Sequence, residues 1–149
     1  MDKSQIERII VCMPSIFTQI RMGEIPGHVL YEDHDCFVVL TNMPHNPGHL
    51  LVIPAEEVAD WQELPKETYE RVMNIARFFG KATKAIYDCP KVGLSAVGFE
   101  VPHVHIHVLS LFEISDIDHG NARPASMEER EVEAKKFNDY IDKLGGVEV

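Results

Sequence analysis

Three observations predict an α+β fold built around an antiparallel sheet. Five short runs rich in Val, Leu, Ile and aromatic residues are bounded by turn-forming residues. Two longer stretches read as helices, one from its apolar spacing and one from its capping signals. The strand runs are interrupted by single helices and otherwise joined by short, hairpin-like connections. With 149 residues, 45% of them hydrophobic, the chain can bury one core, and a second independent domain is not expected.

In chain order, Ser15 can cap a short helix carrying Ile16, Phe17 and Ile20, which Gly23 and Pro26 end. The runs His28–Glu32, Cys36–Thr41 and His49–Ile53 then suggest an antiparallel meander. From Lys66 to Tyr87 the positions Tyr69, Val72, Met73, Ala76, Phe79, Thr83 and Ile86 recur at helical spacing, and Pro65 suits the first helical position. Val92–Gly98 and His103–Leu111 read as two more strands. Ser126 and Glu129 form a capping box for a last helix that runs to about Leu144, before Gly145 and Gly146. Residues 1–14 read as an N-terminal extension, 15–112 as the domain core, and 113–149 as a tail and helix packed on the same domain.

The formal charge of −10, from 14 basic and 24 acidic residues, excludes a surface suited to nucleic-acid polymers. From Glu113 to Val149 ten acids face five bases, the pattern of a solvated helix. Cys12, Cys36 and Cys89 are odd in number and far apart, which argues against a disulfide framework and for a reducing, cytoplasmic setting. Cys36 and Cys89 read as small apolar fillers. The apolar run Ile9–Met13 stops at Pro14 with no cleavage pattern after it, so neither a signal peptide nor a membrane partner is expected.

In Pro102-His103-Val104-His105-Ile106-His107-Val108-Leu109, a period of two places three imidazoles on one face and Val104, Ile106 and Val108 on the other. A merely His-rich exposed strand is one reading. A second is a metal site, since histidines two apart on a strand can aim at one ion, although no local carboxylate or fourth histidine clearly completes the set. The third is nucleophilic catalysis on phosphorus, in which one neutral imidazole attacks while its neighbours stabilise phosphate charge.

The segment His103–Leu109 resembles the signature of the histidine triad (HIT) superfamily, three histidines alternating with apolar residues. Pro44-His45-Asn46-Pro47-Gly48-His49-Leu50-Leu51-Val52-Ile53-Pro54 is similar to that family's upstream strand with its fourth histidine. Ile16-Phe17, Gly23-Glu24-Ile25-Pro26 and Tyr31-Glu32-Asp33 match further back. The resemblance implies a bacterial-type nucleotide hydrolase or transferase of the Hint/Fhit-like group, acting at an α-phosphate. It implies His105 as the nucleophile that forms a nucleotidyl-histidine. His107 would bond the phosphate or leaving group, and His103 and His49 would orient the row. Phe17, Ile20 and Val39 match positions that sandwich the base, and Thr41, with Asn42 beside it, falls at the ribose position. The implied fold is a five-stranded antiparallel sheet with two main helices, joined across a homodimer into ten strands. A small-molecule nucleotide is the expected partner, and no cofactor is expected.

Two departures from the pattern stand out. Ser15 and Thr18 occupy the positions of a Cys-x-x-Cys that helps hold a structural zinc in bacterial relatives, so no zinc is expected. Gly98-Phe99-Glu100 replaces the usual Gly-Gln-Ser/Thr at the phosphate and leaving group. Glu100 either meets the leaving group or turns outward at the Pro102 turn, and the identity of the leaving group stays open. His28, His34, His45 and His119 read as solvated, and Trp61 as a packing or dimer contact. The segment Asp116–Arg123 lies where relatives discriminate substrates.

Overall fold

Along the strand Cys36–Leu40 and its neighbour Leu50–Pro54 every residue is buried, so the middle of the sheet is covered on both faces. The structure is a computed structural model. It describes the backbone of residues 1–149 and the side chains of all but residues 9–12, so Cys12 and most of the Ile9–Met13 run lie outside the described side chains.

Two helices, α1 (Lys3–Cys12) and α2 (Ile16–Arg21), precede the strands β1 (Val29–Glu32), β2 (Cys36–Leu40) and β3 (Leu50–Pro54). The long helix α3 (Lys66–Tyr87), the strands β4 (Lys91–Ser95) and β5 (Ile106–Leu111), and the helix α4 (Met127–Leu144) follow. The five strands form one antiparallel sheet in the order β1-β2-β3-β5-β4. The α+β class, the five-stranded sheet and the two long helices agree with the expectation from sequence. Helix α1 lies within residues 1–14, which the sequence reads only as an N-terminal extension.

Each face of the sheet has its own core. Val38, Leu40, Leu50, Val52, Ile106 and Val108 pack beneath α3 and α4, against Val72, Ile75, Phe79 and Phe137. On the opposite face Phe17 of α2 covers Phe37, Val39, Leu51 and Ile53, with Ile20 at the margin. The strand parity that places Leu51 and Ile53 beneath α2 also turns His107 to that face, because Leu51 pairs with His107 across β3 and β5.

Helix boundaries follow local chemistry. Ser15 caps α2 by accepting from the Thr18 amide at 3.2 Å. The Ser126–Glu129 box at α4 has both its bonds, and Gly145 ends that helix at φ +80°. Pro65 is the N-cap of α3 and not its first helical residue, because its ψ of 143° is extended. Strand β4 ends at Ser95, not Gly98, and β5 begins at Ile106, not His103. The reason is that the Val104 amide donates to the Val58 carbonyl at 2.8 Å, tying the segment before β5 to the loop after β3. Gly98, at φ +72°, turns the chain away between the two strands.

Candidate active site

The site grows from α2, the approach to β5, and the loop between β2 and β3. His103 is fully buried under α2. Its Nε2–H donates to the Pro54 carbonyl at 2.7 Å, and its Nδ1 accepts from the Ser15 hydroxyl at 2.6 Å. Glu57 completes this corner by accepting from the Ser15 amide and the Thr18 hydroxyl, each at 2.6 Å. Burial holds the His103 ring below its usual pKa, against the opposing pull of the Pro54 hydrogen bond and the Glu57 charge. Ser15 and Thr18 are thus spent on His103 and Glu57 and hold them by hydrogen bonds.

His105 reports its protonation through its partner. Its Nδ1 lies 2.7 Å from the His103 carbonyl, which can only accept, so the proton sits on Nδ1 and Nε2 keeps a lone pair. Phe17 lies against the ring, with centroids 4.8 Å apart.

His49 and His107 form a relay with only one consistent proton assignment. The backbone N–H of His45 donates to His49 Nδ1 at 3.1 Å. His49 therefore carries its proton on Nε2 and donates it to His107 Nδ1 at 2.8 Å. His107 is left with Nε2–H as its free donor. Burial, reinforced by charge repulsion from neighbouring imidazoles, pushes the pKa of His49 down to about 2 and that of His107 down to about 3. Both rings are neutral at physiological pH. The His105 and His107 rings lie 5.1 Å apart, so a lone pair and a neutral N–H donor stand side by side.

The family model of the HIT domain matches residues 22–114. The chain belongs to the HIT-domain family. An uncharacterized HIT-like protein of Methanocaldococcus jannaschii is 31% identical over 108 residues, covering 66% of this chain and 79% of that one. An AP-4-A phosphorylase of Mycobacterium tuberculosis is 29% identical over 103 residues, covering 62% of this chain and 51% of that one. Among solved structures, a HIT-like protein from Bartonella henselae superposes with a TM-score of 0.73 at 27% identity, over 84% of this chain and 94% of its own.

This HIT chain brings together His49, His103, His105 and His107, with Phe17 against the row and Ile20 and Val39 in the apolar patch beneath it. Thr41 adjoins His49, its amide donating to the His49 carbonyl at 3.2 Å. The Thr41 hydroxyl accepts from the Met43 amide at 3.2 Å, and the side chain lines a cleft with Asn46, His49, Arg123 and Arg130. The Asn42 carbonyl accepts from the Ala125 amide. Gly98 turns the chain, while Phe99, 94% exposed, and Glu100 point into solvent, the outward course weighed for Glu100.

Two of the four histidines read as solvated, His45 and His28, need correction. His45 is buried, and its Nδ1–H donates to the Asp116 carbonyl at 2.8 Å. His28 is half-buried, with Nδ1 shut off from water. His119 is open to solvent but stacks edgewise on His45 and His107, at 5.0 and 5.3 Å. His34 is fully exposed, with its Nδ1 3.3 Å from Asp35 Oδ1. Glu57, His45 and His119 escaped sequence reasoning because each arrives by a chain return that no local pattern encodes.

Proposed function

We propose that this HIT protein is a nucleotide hydrolase or nucleotidyl transferase that acts at the α-phosphate of a small nucleotide through a nucleotidyl-His105 intermediate. The observation that carries this reading is the pairing of the His105 Nε2 lone pair with the neutral His107 Nε2–H. The lone pair attacks phosphorus, and the N–P bond forms. The bond to the leaving group breaks, its electron pair passing to the leaving atom, which takes a proton from solvent. Water then attacks phosphorus, the pair of the N–P bond returns to His105, and the water's proton goes to solvent. His107 donates to a phosphate oxygen throughout, and its depressed pKa keeps it a hydrogen-bond donor and not a cation.

Phe17, Ile20 and Val39 offer the base an apolar floor beside His105. The similarity to an AP-4-A phosphorylase supports a dinucleoside polyphosphate as substrate, with a nucleoside phosphoramidate the other candidate. The exposed edge of β4, with Leu94 and Val97 about half exposed and Trp61 and Tyr69 nearby, supports a homodimer joined into a ten-stranded sheet. A cytoplasmic setting fits the buried free thiols of Cys36 and Cys89. The metal reading is disfavoured by the donor set, since both His103 nitrogens are bonded and His107 presents a proton, which leaves His105 alone with a lone pair.

The outward course of Phe99 and Glu100 favours one other reading, a module that binds nucleotides without turning them over. Replacing His105 with Asn separates the two. Under the enzymatic reading turnover of diadenosine tetraphosphate or adenosine 5′-phosphoramidate falls by about 10³-fold or more while AMP still raises the melting temperature. An unaltered chain that binds AMP yet turns over neither compound establishes the binding module instead.

A further inference from the structure

After β5 the chain does not leave the site. The Arg123 amide donates to the Pro44 carbonyl at 3.2 Å and the Ala125 amide to the Asn42 carbonyl at 3.0 Å, folding this segment back over the β2–β3 loop. Within it a single 3-10 turn, His119–Asn121, is held by Asp118, which accepts from the Gly120 amide at 2.8 Å, and by Asn121, whose Nδ2 donates to the Ser115 carbonyl at 2.6 Å. The turn lays His119 edge-on against both His45 and His107.

The rings therefore run in the order His105, His107, His119, with successive centroids 5.1 and 5.3 Å apart. In-line displacement puts the departing group on the side of phosphorus away from the nucleophile. With His105 at one end of the row and the phosphate oxygens at His107, the far side leads toward His119 and His45. His45 has given its Nδ1–H to Asp116 and supports the His119 ring edge-on, and no hydrogen-bond partner is seen for the His119 ring among the described residues. An imidazole with neither nitrogen bonded can turn an N–H toward an anion. The nearby acids are committed to backbone amides. The Asp116 carboxylate accepts from the Phe112 and Glu113 amides at 2.7 and 3.1 Å, and Asp118 accepts from Gly120.

We propose that His119, backed by His45, forms an anion subsite for the departing group, and that the leaving group of the substrate bears a phosphate. This rests on the nucleotidyl-transfer reading above and chooses, between its two substrate candidates, the phosphate anhydride over the phosphoramidate.

The test uses the full chain with His105→Asn, which holds nucleotides without consuming them, and AMP and ADP as probes, since ADP adds one phosphate beyond the α-position. Calorimetry is expected to show ADP binding about tenfold tighter than AMP, the scale of one or two hydrogen bonds to a charged group. Adding His119→Gln should collapse that preference toward unity, and His119→Lys should restore it. In the catalytically intact chain, His119→Gln should cut the ratio of kcat/KM for diadenosine tetraphosphate over adenosine 5′-phosphoramidate by about the same factor. A preference for ADP that survives His119→Gln overturns the subsite, as does AMP binding with no ADP preference at all. Failure to bind AMP overturns the nucleotide reading itself.

Discussion

A neutral imidazole has one donor and one acceptor, and its partners decide which nitrogen plays which part. Ser15 matters for that reason. Its hydroxyl meets Nδ1 of a fully buried ring, so Ser15→Ala strands an acceptor away from water and should cost about 1–3 kcal/mol, read by chemical denaturation. An unchanged midpoint would show that the bond carries no weight. The His49–His107 pair makes a second prediction. Both rings have folded pKa values below the ordinary 6.5, so from about pH 6.5 down to about 3 the unfolded chain binds protons that the folded chain refuses. Stability must fall as pH drops through that window, by up to about 1.4 kcal/mol per pH unit for each ring. Melting curves from pH 7 to 4 check the slope, and His49→Gln should flatten it.

At the scale of elements, capping and periodicity were readable because each signal is local. Ser15 before α2, the Ser126–Glu129 box and the apolar stripe of α3 act within a few residues of where they are written. The period-two reading of the histidine row was right about faces, since Val104, Ile106 and Val108 all join the core under α3. It was wrong about hydrogen bonding, because Val104 turns to Val58 and the strand starts only at Ile106. His45 and His119 carry no periodic neighbours, so nothing near them in sequence announces a role. Gly48 ties the elements to the site. Its φ is +80°, and a methyl there would overlap the Tyr87 ring, whose hydroxyl donates to Glu133 of α4. Gly48→Ala should cost about 2 kcal/mol or more and displace the adjoining His49, which predicts lower stability and lower turnover together. Wild-type activity in a stable Gly48→Ala chain would disconnect the loop from the relay.

For the whole molecule, the sheet has two edge strands, β1 and, at the opposite side, β4. Leu94, 49% exposed, sits on it. If the proposed dimer forms along β4, Leu94→Lys should give a monomer by sedimentation while the fold stays intact, since a charge there opposes edge-to-edge pairing. A dimer that persists in this variant would move the interface elsewhere. At the opposite edge, α4 packs against β1.

The relay that sets the His107 proton begins at the His45 backbone N–H, not at a side chain. An alanine scan of the whole chain would leave that group in place at every position and record no origin for the assignment. Among ordinary substitutions only proline removes that N–H, and proline removes the His45 ring as well. Replacing the peptide N–H of residue 45 with an ester oxygen, by semisynthesis, removes the one donor to His49 Nδ1 among the described residues and keeps the His45 ring. Both imidazoles are then free to exchange tautomers, and the donor facing the phosphate becomes a lone pair in part of the population. Nitrogen-15 spectra of the two rings would display that redistribution directly.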